Sequence, residues 1–304
     1  MRAQEASFVQ TVPRQLVHRA SVSEVLVTGW EETGPDTFQV SAQWPRAHSF
    51  FSPVAGTWHD GMLVAETVRQ SVMLIAHTGF GVALGEHFVM SMLAFSVEPD
   101  GMELDAVPAE LTLTLACGDV RRGRRGLIGM RAAVTLYRHG VAFGRGSARF
   151  TMVGSAAYAR LRAGAAGARA PLCLPAPVDP GSVGRHREDD VLIADGGRPD
   201  SWLLRVDPSH PVMFDHPVDH VPGMVLMEGM RQASHLVSGM SRAVLLGFGA
   251  DFARYAELDR PCVVSARLRG VRADGCASVA VTVEQDGHTA ATGRALLMPV
   301  GAAR

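Results

Sequence analysis

Residues 62–70 (MLVAETVRQ) and 224–232 (MVLMEGMRQ) align without a gap, 162 positions apart, so Glu66 falls on Glu228, Arg69 on Arg231 and Gln70 on Gln232. The same offset carries Gly61 onto Gly223 and His48 onto His210. An internal repeat constrains the fold more than any composition does, because each copy must be built around the same supersecondary unit. Each copy also sets a carboxylate and a guanidinium three residues apart inside an apolar stretch. Charged groups are rarely buried unless they are paired or used.

The text around the two copies follows one order. In the first half, strand-like segments at Ser23–Thr28 and Thr37–Gln43 flank a turn at Gly34-Pro35-Asp36. A loop rich in His, Pro and Phe follows, then an apolar segment at Met62–Thr78 whose broad stripe predicts a helix buried on most sides. Strands are expected at His87–Val97, Ala109–Gly118, Leu127–Arg138 and Val141–Val153, the last two joined by a turn at Arg138-His139-Gly140. Ala156–Arg162 adds a short helical turn. The second half offers short strands at Val191–Ala194 and Trp202–Val206, a Pro/His-rich loop and an apolar helix over Met224–Leu246. Strands at Cys262–Val271, Ala277–Gln285 and Thr289–Pro299 complete it, with Asp286-Gly287 as a hairpin turn. A helix this apolar needs a curved sheet around it. The expectation is α+β, a tandem or double hotdog, with an N-terminal domain at 15–153, an Ala/Gly/Pro-rich linker at 154–189 and a C-terminal domain at 190–301.

Composition narrows the functions. The 304 residues carry a formal net charge of −1, which gives no overall basic field for nucleic acid. The N-terminus lacks the apolar core of a signal peptide, and no uncharged run is long enough to span a membrane, so a soluble cytoplasmic protein is expected. Cys117, Cys173, Cys262 and Cys276 show no metal-ligand spacing, and no Gly-rich nucleotide loop opens a helix, so neither metal nor dinucleotide is expected.

Two resemblances rest on particular residues. The segment from His216-Pro217 through Pro222-Gly223 to Glu228 and Gln232 resembles the hotdog dehydratases of fatty-acid synthesis, although its loop before Pro222 is shorter. A resemblance covering nearly the whole chain is to the A-factor biosynthesis (AfsA-like) family. It is carried by Val17-His18-Arg19, Val25-Leu26-Val27-Thr28, Gln43-Trp44-Pro45-Arg46 with His48 and Phe50-Phe51, Leu63-Val64-Ala65-Glu66-Thr67 with Arg69-Gln70, and Phe214-Asp215-His216-Pro217 with Asp219-His220-Val221-Pro222-Gly223-Met224. The resemblance implies an acyltransferase that passes a β-ketoacyl group from acyl carrier protein to the hydroxyl of dihydroxyacetone phosphate. The resulting ester closes by an intramolecular aldol step toward a γ-butyrolactone, butenolide or furan signal. It implies no cofactor beyond the phosphopantetheine arriving on the carrier.

Such a transfer must deprotonate the hydroxyl, stabilise an oxyanion and hold a phosphate. Glu66 and Glu228 are the candidate bases; burial would raise their pKa and the neighbouring arginine would lower it. Backbone N–H groups near Gly61 and Gly223 suit the oxyanion, because a helix start leaves donors unpaired. Arg69 and Arg231 suit phosphate. His216 and His220 are placed to shuttle protons or orient substrate, and Gln70 and Gln232 to bind substrate or satisfy backbone. Against these stand structural readings: Glu-Arg ion pairs duplicated with the fold, and His48 and His210 as turn caps. His59-Asp60, just before Gly61, is a weaker candidate. Arg121, Arg122, Arg124 and Arg125 form either a solvated turn or a dock for an acidic carrier protein. Two other functions remain open: a hotdog dehydratase or thioesterase using His216 with Glu228, and a non-enzymatic binder of acyl ligands. The assembly is expected to be a monomeric pseudo-dimer or a homodimer.

Overall fold

A computed structural model describes residues 7–124, 126–164 and 174–301. The chain divides into two compact units, Met1–Ala47 with Leu63–Gly164 and His48–Met62 with Ala165–Arg304.

In the first unit, β1 (Val27–Gly34) and β2 (Thr37–Trp44) form a hairpin and α1 (Met62–Thr78) follows. Strands β3 (His87–Val97), β4 (Ala109–Gly123), β5 (Gly126–Arg138) and β6 (Val141–Val153) come next, then a short α2 (Ser155–Leu161). The sheet runs β1-β2-β4-β5-β6-β3 with every pair antiparallel. Strict alternation on β5 sends Ala132, Val134 and Leu136 inward and leaves Arg131 and Ala133 exposed. Leu63, Val64, Val68, Val72, Leu74 and Ile75 of α1 are all buried. Gly146 explains how closely the helix lies on the sheet, since a Cβ there would stand 2.6 Å from Val68 Cγ2.

The second unit repeats this plan. It contains β7 (Ile193–Arg198), β8 (Ser201–Leu204), α3 (Gly223–Ser238), β9 (Ala243–Phe252), β10 (Cys262–Val271), β11 (Ala277–Gln285) and β12 (His288–Pro299). Its sheet order is β7-β8-β10-β11-β12-β9, the first unit's order strand for strand. Gly293 on β12 meets Met230 of α3 as Gly146 meets Val68: an added Cβ would be 2.7 Å from Met230 Sδ. The fold is a tandem hotdog. No helix among the described residues is long and apolar enough to cross a membrane.

The structure departs from the sequence reading at three places. The second long helix stops at Ser238 rather than Leu246. Gly239 takes a left-handed conformation (φ 68°), its N–H and that of Met240 return to Leu236 O and His235 O, and the apolar run that follows is β9. A short apolar run reads equally as buried helix or buried strand, and the glycine decides it. Near the N-terminus, Val22–Glu24 is a 3-10 turn and the strand begins at Val27. Finally, residues 174–189, assigned to the linker by composition, hold a 3-10 turn at Pro180–Val183 and the buried Arg185 within the second unit.

Candidate active site

Each unit contains a buried carboxylate gripped by two guanidiniums. In the first, Arg19 Nε donates to Glu66 Oε1 at 2.9 Å, and Arg69 donates through Nε to Oε2 (2.9 Å) and through Nη2 to Oε1 (2.7 Å). Gln70 Nε2 adds a bond to Oε1 at 2.6 Å. In the second, Arg185 Nε reaches Glu228 Oε1 at 2.9 Å, Arg231 Nε and Nη2 reach Oε2 and Oε1 at 2.8 and 2.7 Å, and Gln232 Nε2 reaches Oε1 at 2.7 Å. The glutamines also fasten the helix to the preceding chain. Gln70 accepts from Leu26 N–H and donates to Glu24 O, and Gln232 accepts from Leu192 N–H and donates to Asp190 O.

These partners reveal a second repeat. Val17-His18-Arg19 maps onto Val183-Gly184-Arg185, 166 residues further on, and Val17 O and Val183 O each accept from the helix arginine of their unit. His18 and Gly184 both take positive φ, 54° and 67°, which turns the chain so that the following arginine enters the core. Sequence reasoning missed Arg19 and Arg185 as members of these clusters. The signal was present, but the offset changes from 162 to 166 and Arg185 sits in text that reads as linker.

Burial alone would push both carboxylates up in pKa. The paired arginines and the glutamine bond outweigh it and hold Glu66 and Glu228 down at about 2. A carboxylate so held stays ionised at neutral pH and has little tendency to take a proton. What each does in this geometry is fix two guanidiniums. Arg231 also bonds His235 Nε2 through Nη1 at 2.7 Å; burial, then the Arg231 charge, lowers His235 to about 3. At the equivalent point in the first unit Arg69 Nη1 meets only Met73 Sδ, a weak acceptor, at 3.0 Å.

Arg185 Nη1 also bonds Asp60 Oδ2 at 2.8 Å and Phe50 O at 2.9 Å, and its guanidinium lies 4.3 Å over the Phe50 ring. The other oxygen of Asp60 caps the first helix by accepting from Met62 N–H at 2.8 Å. That start is therefore occupied by a carboxylate. Gly61 beside it is required by packing, since a Cβ would stand 2.3 Å from Leu245 O.

The start of α3 has no such carboxylate cap among the described residues. Pro222 precedes it, offering neither N–H nor side-chain cap. An added Cβ at Gly223 would meet only the Phe252 ring, at 3.3 Å. The loop leading to it carries two acid–imidazole pairs: Asp215 Oδ1 with His216 Nδ1 at 2.5 Å, and Asp219 Oδ1 with His220 Nδ1 at 2.7 Å. The Asp215 side chain is 2% exposed and that of His216 45%, so a buried carboxylate orients an accessible ring. His220 packs against Tyr255 with ring centroids 4.6 Å apart. This is the arrangement that presets an imidazole tautomer for proton transfer at Nε2.

The remaining histidines have structural posts. His48 Nδ1 accepts from Phe50 and Phe51 N–H, and His210 Nδ1 from Val212 and Met213 N–H, each closing the turn it begins. His59 is buried beside Asp60. An open depression of about 780 Å³ lined by Arg198, Ser201, Arg267 and Asp286 touches none of these groups. Arg121 and Arg122, expected in a turn, lie on β4, which runs on to Gly123: Arg121 bonds Thr151 and Arg122 is paired with Asp36 at 3.4 Å, while Arg124 is exposed and Arg125 lies outside the described residues.

Residues 1–154 and 168–301 match the A-factor biosynthesis hotdog domain. The chain is 47% identical to a Streptomyces virginiae protein named 2-oxo-3-(phosphooxy)propyl 3-oxoalkanoate synthase, over 93% of this chain and 96% of that one. Proteins of the same name from Streptomyces coelicolor and Streptomyces griseus are 41% and 36% identical, over 91% and 94% of this chain and 88% and 95% of theirs. Among solved structures, the 12:0-ACP thioesterase of Umbellularia californica superposes with a TM-score of 0.56 at 10% identity, covering 86% of this chain and 94% of that one. A putative oleoyl thioesterase of Lactobacillus plantarum gives 0.53 at 9%, covering 89% and 99%. At such identities these two speak for the fold alone.

Proposed function

The chain belongs to the A-factor biosynthesis hotdog family, and from that premise we propose that it joins a 3-oxoacyl group to dihydroxyacetone phosphate. The compound in the relatives' name is the ester of those two parts, so the reaction needs an acyl donor and a phosphorylated three-carbon alcohol. The donor is a thioester on acyl carrier protein.

The observation that carries the assignment within the molecule is the contrast between the two helix starts. An oxyanion is repelled where Asp60 already caps α1 and is favoured at the uncapped start of α3. We place the thioester carbonyl there, at Gly223-Met224. His216, held by Asp215, takes the proton from the acceptor hydroxyl as its oxygen attacks the carbonyl carbon. The tetrahedral intermediate then collapses, the C–S bond breaks, and the proton passes from His216 to the departing thiolate. The products are the phosphorylated ester and the free thiol. His220, tied to Asp219, orients the substrate.

Glu66 and Glu228, first considered as bases, serve in this reading as anchors for Arg19, Arg69, Arg185 and Arg231; Gln70 and Gln232 share that task. Of the two helix arginines considered for phosphate, Arg69 gives its Nη1 to a weak thioether acceptor and Arg231 gives its Nη1 to an imidazole, so Arg69 is the easier to redirect to substrate. The test is to mix the protein with a β-ketoacyl thioester, with and without dihydroxyacetone phosphate, and follow products by mass. A phosphorylated ester formed only with the acceptor supports the proposal. Free acid or an enoyl thioester without acceptor assigns a thioesterase or dehydratase instead, and no product refutes all three enzymes.

A further inference from the structure

The outward face of the first unit's sheet is basic in a way the fold does not require. Arg131 on β5 is directly opposite Arg149 on β6, and Arg145 is opposite Thr135 four pairs along, on the same face. All three are exposed, and none is ion-paired among the described residues. Arg121 of β4 extends the row: its guanidinium lies over Gly129 and bonds Thr151 Oγ1 at 3.2 Å, and Gly129 pairs with Thr151. The outward positions Thr112, Thr114, Ala116, Ala133, Thr135 and Ser147 carry no acid, and the exposed acids of β4 are Glu110 at its start and Asp119 in the bulge before Arg121. Gly146, between Arg145 and Ser147, faces α1, so the arginines point away from the core.

Like charges directly across a ladder destabilise a sheet. Duplication does not account for them either. The second unit keeps the same register, with Ser278 opposite Leu296 where the first has Arg131 and Arg149, and Thr282 opposite Thr292 where the first has Thr135 and Arg145. The second unit's outward face carries exposed arginines too, Arg267 and Arg294 on either side of Ala280, but among the described pairs the first unit's sheet alone sets two arginines directly opposite each other, in a chain whose net formal charge is −1.

We infer that this face, formed by Arg121, Arg131, Arg145 and Arg149, docks the acidic helical surface of the carrier protein that delivers the acyl thioester. The inference rests on the donor reading proposed above. Charge complementarity fixes the sign of the partner. Spacing suits a helix: Arg145 and Arg149 are four residues apart on a strand, about 13 Å, which matches carboxylates eight residues apart on one helix face, about 12 Å. These outward rows hold a single aromatic side chain, Tyr137, where single-stranded nucleic acid would need successive rings to stack on. Arg122, the next residue of β4, is committed to Asp36 and to the Phe80 ring at 5.4 Å and takes no part.

The test compares two donors. Transfer from the carrier-bound β-ketoacyl thioester and from its N-acetylcysteamine analogue is measured for the full chain and for R131E/R149E, alongside direct titration with the carrier protein. The expected result is a rise in carrier Kd and a fall in carrier-bound kcat/KM of at least about tenfold, with the analogue's kcat/KM kept within about twofold and a weaker salt dependence. R131Q/R149Q, which relieves the like-charge contact and cannot melt below the wild type on electrostatic grounds, should show the same pattern more mildly. Unchanged carrier Kd in both variants overturns the inference. So does tight duplex DNA binding that the variants abolish while carrier binding stays intact. Absence of ester from either donor with Arg-dependent carrier binding would defeat the proposed reaction and leave the dock standing.

Discussion

Replacing Glu228 with Gln separates an anchor from a base. The second unit's cluster sets two positive groups, Arg185 and Arg231, against two negative ones, Glu228 and Asp60, with side-chain exposures of 1%, 5%, 0% and 4%. E228Q keeps the shape and one acceptor oxygen but leaves a guanidinium charge without its counter-ion in a site closed to water. Breaking a buried pair in this way costs about 3–5 kcal/mol. At about 2–4 °C per kcal/mol for a unit of this size, the melting temperature should fall by about 6–20 °C. The assay is thermal and urea unfolding at pH 7, with turnover measured well below the variant's transition. If Glu228 anchors, the folded variant keeps turnover within about tenfold of wild type. If it is the base, turnover falls by about 10²–10⁴ with little loss of stability. A variant that melts with the wild type and is inactive would refute the reasoning.

Three further outcomes follow from the same geometry. His235 is held neutral in the fold at about 3, so the stability it supports is complete above about pH 6.5 and is lost as pH falls from there; Glu66 and Glu228, at about 2, add a steeper loss below about pH 4.5. Urea unfolding at pH 7, 5.5 and 4.5 should show about 3 kcal/mol lost by the last point, and a flat profile would contradict it. G61A should cost about 1–3 kcal/mol, because its Cβ would strike the Leu245 backbone, whereas G223A should leave the unfolding midpoint near wild type and lower kcat; the reverse ranking would sink the assignment of the two helix starts. D215N should lower kcat through loss of the imidazole's orientation while acceptor KM stays within a few-fold, and an unchanged kcat would remove Asp215 from the account.

Much of this molecule is legible in its sequence. The helix at Met62–Thr78, the strands from β3 to β6 and the hairpin turns at His139-Gly140 and Asp286-Gly287 follow from periodicity and turn chemistry. The repeat of Glu66 with Glu228 announces the tandem hotdog. What the sequence hides is contact between residues distant along it. Nothing near Glu66 or Glu228 says that Arg19 and Arg185, 47 and 43 residues upstream, close on them. A helix with Glu and Arg at i, i+3 reads as a catalytic couple or a structural pair with equal ease, and only the second guanidinium decides the carboxylate's ionisation. The asymmetry between the helix starts was equally out of view. Asp60 and Pro222 occupy the same repeat position, and their opposite effects emerge only when the bond from Asp60 to Met62 N–H is seen. The basic face needed the strand register, because Arg131, Arg145 and Arg149 are scattered in sequence and meet only across the ladder.

The turnover number of His216→Ala in phosphorylated-ester formation tests the account most directly. The account predicts a fall of about 10²–10⁴ in kcat, with the unfolding midpoint and carrier binding unchanged, since the ring is a surface group held by its bond to Asp215. Ester formation by His216→Ala at the wild-type rate would contradict it and move the chemistry away from the start of α3.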